Sequence, residues 1–272
     1  MNSTISRRNF VAAATLGPVM MSCPFHLSAN TGHGYTTPGK SRARRQRSDA
    51  AGKPGILVFD VIQTMLDLNA LRPQFERVFS SGSAMDEWFS LLLQYSLVVT
   101  VTDAYSDFGT VGGAALEMLA SMKRVQLSAE NKTRILQGVL TLPSHPDILD
   151  SLKRLRSAGF RMITLTNSSP TVIKAQLQNA GLAEYFEQSI SVESVRRFKP
   201  HMQVYRSAAG RLGAKPNEIM LIAAHAWDVF GAMKAGWHAA FVARHGMPLF
   251  PLAPPPDIIG ADMKIVTDAL LR

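Results

Sequence analysis

A chain of 272 residues can bury a full core, and 46% hydrophobic with 18% charged residues is ordinary globular composition, which excludes a fibrous or wholly disordered protein. The formal net charge of +9 would suit a nucleic-acid binder, but residues 1–53 hold eight Lys/Arg against the single acid Asp49, seven of the nine net charges. The rest is nearly neutral and offers no cationic face to a phosphate backbone, so no nucleic-acid partner is expected.

At the N-terminus, Ser6-Arg7-Arg8-Asn9-Phe10 precedes a mildly apolar run from Val11 to Met21. That run is too short for a bilayer, which needs about 20 residues. Paired arginines, a large apolar residue and a weakly apolar stretch resemble a twin-arginine export signal. The resemblance implies a signal over residues 1–29, the twin-arginine translocase as a partner during export, and a periplasmic or secreted protein. Leu27-Ser28-Ala29 is an acceptable cleavage site, and Cys23 after Met-Met-Ser is a poor lipid-attachment site. Residues 30–53 are rich in Gly, Ser, Thr, Lys and Arg and cannot offset their ordering entropy by burial, so a disordered basic linker is expected. Cys23 is the only cysteine, so the fold relies on no internal disulfide.

Beyond the linker, four short apolar runs read as buried strands: Ile56–Phe59, Phe160–Leu165, Ile219–Ile222 and Ala239–Ala243. Helical patterns at about 146–158, 170–181, 200–213 and 227–236 separate the later strands, with Ala158-Gly159, Ala180-Gly181 and Ala235-Gly236 reading as helix ends. Nearly continuous apolar strands alternating with helices predict an α/β protein with a Rossmann-like, doubly wound parallel sheet. Residues 68–145 differ, with amphipathic patterns over Asn69–Ser80, Ser83–Val101, Asp107–Arg124 and Ser128–Leu140 and no convincing strand. The expected organisation is therefore a core of residues 54–67 and 146–272 interrupted by a helical cap over 68–145.

Polar residues follow the strands, where ligands of open α/β sheets bind. Asp60 ends the first strand and begins Asp60-Val61-Ile62-Gln63-Thr64; Thr166-Asn167-Ser168-Ser169-Pro170 follows the second. Lys199-Pro200 precedes Tyr205, and Ala223-Ala224-His225-Ala226-Trp227-Asp228 follows another strand. Taken singly, Asp60 also fits a helix N-cap, Thr166-Asn167 a capping turn and His225 a hydrogen-bonded strand-end side chain.

Together, in this order and with a helical insert after the first strand, these segments resemble the haloacid dehalogenase superfamily. The last closely resembles the type II 2-haloacid dehalogenase motif Ser-Ser-Asn-Ala-Trp-Asp, and cap segment Asp86–Ser96 with Phe108 beyond it is similar to the same group. The resemblance implies Asp60 as nucleophile beside Thr64, Lys199 paired with it, and Asp228 positioning Lys199 or the hydrolytic water. It further implies Thr166 and Asn167 donating to the substrate carboxylate or to Asp60, with Tyr205, Trp227, Phe89 and Phe108 around the substrate. The substrate would be a small halocarboxylate, and the family also implies a homodimer.

Superfamily phosphatases carry a second Asp two residues after the nucleophile to protonate a departing alkoxide; here Ile62 stands there. A halide leaves without a proton, so the substitution favours carbon–halogen displacement. With Asp228 the sole acid of its loop, neither metal nor other cofactor is expected. Two departures matter. Phe89 stands where the family has an arginine for halide or carboxylate, which leaves an aromatic ring edge as the halide cradle. His225 replaces the motif's Asn, and Ala223 its Ser; His225 could bind halide, orient water or act as general base. A phosphatase on the same fold, or an inactive protein that binds small carboxylates, remain the competing readings.

Overall fold

The computed structural model describes residues 54–272, so the twin-arginine segment and the basic linker lie outside the described residues. Six strands form a single sheet: β1 Ile56–Phe59, β2 Arg161–Thr166, β3 Gln188–Ser191, β4 Ile219–Ala223, β5 His238–Val242 and β6 Ile258–Gly260. Their order is β3-β2-β1-β4-β5-β6, with every neighbouring pair parallel. Central β1 and β4 are buried along their whole length, which is why they read as unbroken apolar runs.

The connecting helices are α5 Ile148–Ser157, α6 Pro170–Asn179, α7 Met202–Leu212, α8 Ala226–Lys234 and α9 Met263–Leu270. Before them, α1 Arg72–Phe79, α2 Ala84–Val101, α3 Phe108–Lys123 and α4 Ala129–Gly138 make the cap. Local chemistry sets their ends. Asp107 and Ser128 accept from the third backbone N–H of α3 and α4, and left-handed Arg124 closes α3. Trp88 of α2 donates its indole N–H to Gly112 O of α3 at 2.9 Å, which pins the two longest cap helices together.

Two strands and one helix were not anticipated. β3 and β6 are short edge strands with part-exposed residues, and β3 reads Gln-Ser-Ile-Ser, so neither carries the apolar run of a central strand. α9 follows them, its N-terminus capped by the Asp262 side chain.

The chain leaves and rejoins the core through a clasp. Asp67 N donates to Pro143 O (2.8 Å) and His145 N to Met65 O (2.9 Å), so both ends of the cap are tied beside the loop that follows β1. β1 lies between β2 and β4, whose outgoing chains diverge to opposite sides. The residues after these three strands converge on the crevice so formed.

Candidate active site

Asp60 is the first residue after β1, 5% exposed, with its backbone N–H bonded to Ile222 O of β4. Its loop turns back at once: Met65 N and Leu66 N both donate to Val61 O, and Gln63 adopts a left-handed φ of 64°. This tight turn brings Thr64 back to Asp60, so that Thr64 Oγ1 donates to Asp60 Oδ2 at 2.6 Å and accepts from Ala224 N at 2.9 Å. One hydroxyl thus joins the ends of β1 and β4 through the carboxylate.

Lys199 supplies the other side. Its ammonium is buried and donates to Asp60 Oδ1 (2.8 Å), Asp228 Oδ2 (2.6 Å) and Leu165 O (2.9 Å), using all three protons. Its backbone N–H donates to Asn167 Oδ1 at 3.0 Å, which fixes the lysine's origin against the end of β2. Asp228, in the first turn of α8, accepts from Tyr205 OH at Oδ1 (2.6 Å). That phenol reaches it past Gly231, where an added Cβ would lie 2.6 Å from both Tyr205 OH and Pro200 Cβ.

His225 completes the network. Nδ1 lies 3.0 Å from Asp60 Oδ2 and Nε2 lies 2.8 Å from Gln63 Oε1. An ionised carboxylate only accepts, so Nδ1 carries the proton in this contact. The ring is stacked between Trp227 (centroids 4.9 Å) and Phe89 (6.2 Å).

The charges follow from these contacts. Burial alone would raise the pKa of Asp60, but the Lys199 ammonium and the His225 hydrogen bond outweigh it and hold the carboxyl well below the usual range. Burial works against the Lys199 charge, yet Asp228 and Asp60 together push its pKa up. Asp228 is pushed up by burial and by the negative charge of Asp60, against the pull of Lys199. Tyr205 is raised well above the ordinary phenol by burial and by Asp228, which keeps it a proton donor. The site therefore holds an ionised carboxylate beside a charged lysine.

Six residues expected from the sequence, Asp60, Thr64, Lys199, Tyr205, His225 and Asp228, form one connected network. Asn167 joins it through Lys199. Thr166 is placed differently from one of the expectations: its hydroxyl accepts from Ser168 N at 3.1 Å, and the protein partners of Asp60 are Thr64, Lys199 and His225. Gln63 escaped the sequence reading altogether, because nothing in an Asp-x-x-x-Thr pattern marks a middle residue until the left-handed turn aims it at His225.

Two cavities lie near the network, one bordered by Ile62 and Ser168, the chain neighbours of Gln63 and Asn167, and the other reaching it through Gln63 and His225. An apolar chamber of about 70 Å³ is lined by Ile62, Leu68, Trp88, Phe89, Phe108 and Ser168, among others. A polar cleft of about 770 Å³ has Gln63, His145, His225, Trp227 and Arg244 in its wall. Phe108 thus faces the chamber, Trp227 the cleft, and Phe89 both.

A divalent cation, as superfamily phosphatases use, finds a poor donor set here. Both oxygens of Asp60 and of Asp228 already accept from protein donors, and the Lys199 ammonium lies between the two carboxylates. No cluster of three His, Cys, Asp or Glu suited to a metal occurs among the described residues.

The protein can be set beside known ones. Residues 57–236 match the family of haloacid dehalogenase-like hydrolases. The chain is 29% identical over 193 residues to (S)-2-haloacid dehalogenase 4A of Burkholderia cepacia, covering 70% of this chain and 84% of that protein. It is 30% identical over 190 residues to the (S)-2-haloacid dehalogenase of Xanthobacter autotrophicus, covering 69% and 74%. The structure of L-2-haloacid dehalogenase from Xanthobacter autotrophicus superposes with a TM-score of 0.75 at 25% identity, over 80% of this chain and 98% of that one. The match spans β1 through α8, and so every residue of the Asp60 network. The chain belongs to the haloacid dehalogenase-like hydrolase family.

Proposed function

We propose that this protein hydrolyses short 2-haloalkanoic acids to 2-hydroxy acids through an ester on Asp60. The observation that carries the reading is Asp60 itself: a buried carboxylate held ionised by Lys199, with Ile62 rather than an acid two residues on. The relatives' dehalogenase activity supports it. A carboxylate oxygen attacks C2 in line with the carbon–halogen bond, the new C–O bond forms, and halide departs with the bonding pair and no proton. Water then adds to the Asp60 ester carbonyl, and collapse breaks the bond between that carbonyl carbon and the ester oxygen, the departing alkoxide taking the proton that water gave up. The 2-hydroxy acid leaves and Asp60 regains its carboxylate, having gained one oxygen from water.

The water must lose a proton, and His225, next to Asp60 and walling the polar cleft, takes it at Nε2. It does so once the Gln63 amide oxygen swings off that nitrogen, because an amide oxygen only accepts and Nδ1 already carries a proton. Both Asp228 oxygens are engaged by Lys199 and Tyr205, so its part is to hold the lysine. Phe89 meets the departing halide with a ring edge, a weaker anion partner than a guanidinium. A single turnover in ¹⁸O-water tests the pathway: label is expected in Asp60, and dehalogenation without it would end the ester mechanism.

We propose further that the chain is exported through the twin-arginine route and works outside the cytoplasm. The Ser6–Phe10 pattern supports this, and loss of periplasmic protein on joint Arg7→Lys and Arg8→Lys substitution is the expected result. A homodimer is proposed on the family's habit, and sedimentation at micromolar concentration tests it.

A further inference from the structure

Leu68 and Phe89 line both cavities at once, the apolar chamber on one side and the polar cleft on the other. Each is nearly buried, at 2% and 6% exposure. Leu68 opens the short helical turn at the start of the cap, fixed by Asp67, whose carboxylate accepts from Asn69 N at 3.0 Å. Phe89 comes from α2, where its ring is packed between Trp88 (6.2 Å) and His225 (6.2 Å). Two apolar side chains from separate parts of the cap therefore stand between a small apolar space and a large polar one.

From this we infer that Leu68 and Phe89 form a partition that sets the upper size of the substituent at C2 of the substrate. The inference rests on the dehalogenase reading and adds a specificity wall to it. The chamber, at about 70 Å³, lies between the roughly 10–15 Å³ that one water needs and the roughly 150 Å³ that admits benzene. It accommodates a short alkyl group and excludes an aryl one. The cleft beyond the wall, at about 770 Å³, has ample room for a phenyl ring. Size selection is thus imposed by the wall and not by the volume available near the site. The same wall keeps the cleft's water off the chamber while leaving His225 and Gln63 on the wet side, so substrate and hydrolytic water are served from opposite cavities.

The test compares two inert carboxylates and two substrates on the full chain. Binding of propionate and 3-phenylpropionate is measured by calorimetry, and halide release from 2-chloropropionate and 2-chloro-3-phenylpropionate by chloride assay. Wild type is expected to favour the small member of each pair by at least about 10-fold. Phe89→Ala is expected to move both ratios toward the phenyl compound by about 10-fold or more, with Leu68→Ala moving them in the same direction. Phe89→Leu, a gentler change, keeps the question answerable if the alanine variant folds poorly. Absolute activity of the Phe89 variants is expected to fall, so the ratio is the reading. Wild type that takes the phenyl acid as well as propionate, or that binds neither, overturns the partition, as do ratios unmoved in all three variants. Shifted binding ratios with no halide release from any 2-chloro acid would instead uphold the wall and remove the dehalogenase reading.

Discussion

Replacing Lys199 with methionine probes the site where its buried charges meet. The ammonium contacts Asp60 at 2.8 Å and Asp228 at 2.6 Å, all three groups being buried. Removing one partner of a buried pair costs about 3–5 kcal/mol, and here it strands two carboxylates together and leaves Leu165 O short of a donor. The protein can limit that loss by taking up a proton, and Asp228, already pushed up by burial and Asp60, takes it first. Asp60 then loses the cation that contributes most to holding it ionised. In wild type its pKa is below the unfolded value of about 3.9, so its contribution to stability is fully present above that pH and fades as pH falls toward the folded pKa. Single-turnover halide release should accordingly be flat from about pH 5 to pH 9 on the Asp60 ionisation. In Lys199→Met the acid limb should rise into that window, and urea unfolding at pH 7 should show a loss of about 3–5 kcal/mol. Adding Asp228→Asn removes the second charge and should recover about 2 kcal/mol without restoring halide release. A single variant within about 1 kcal/mol of wild type, with an unmoved pH profile, would refute the argument that the lysine's charge organises the site.

Asp60→Asn keeps shape and removes the nucleophile, so halide release should drop by roughly 10⁴-fold or more in a steady-state chloride assay. Gln63→Leu leaves His225 Nε2 without its partner at 2.8 Å; release of the first halide should persist while ester hydrolysis slows by about 10-fold, seen as a chloride burst and a 1-carboxyalkyl ester on Asp60 by mass spectrometry. Gly231→Ala places a Cβ 2.6 Å from Tyr205 OH and Pro200 Cβ; destabilisation by about 1–3 kcal/mol is expected in urea, with a fall in kcat as Tyr205 is driven off Asp228.

The sheet's centre was legible because burial on both faces leaves no polar alternation, as in Ile56–Phe59 and Ile219–Ala223. Its edges were not, since Gln188–Ser191 and Ile258–Gly260 pair on one side only and need no apolar run. The network was legible from the order in which its segments occur together, since Asp60, Lys199 and Asp228 taken singly each have an ordinary structural alternative. What stayed hidden depends on backbone direction. Gln63 matters because of one left-handed φ, and Leu68 matters because the cap's first turn lies against the site. The double role of Phe89 likewise appears only when both cavities are seen, since a helical apolar residue reads from sequence as core.

The site's departures from a phosphatase are mutually consistent. A phosphate ester brings concentrated negative charge and an alkoxide that needs a proton, so its enzyme must supply cation and acid. Here the position for the acid is Ile62, which instead forms chamber wall, and the place between the carboxylates belongs to Lys199. A 2-haloacid makes the opposite demand. Its reacting carbon is uncharged, and in the transition state the charge of Asp60 spreads toward the halogen. Fixed donors that hold the carboxylate in position stabilise that charge without reorganising, and an apolar wall tolerates dispersed charge better than concentrated charge. The isoleucine that offers no proton to an alkoxide is thus a residue that keeps the substrate's side of the site apolar, and the lysine between the carboxylates keeps the attacking oxygen ionised.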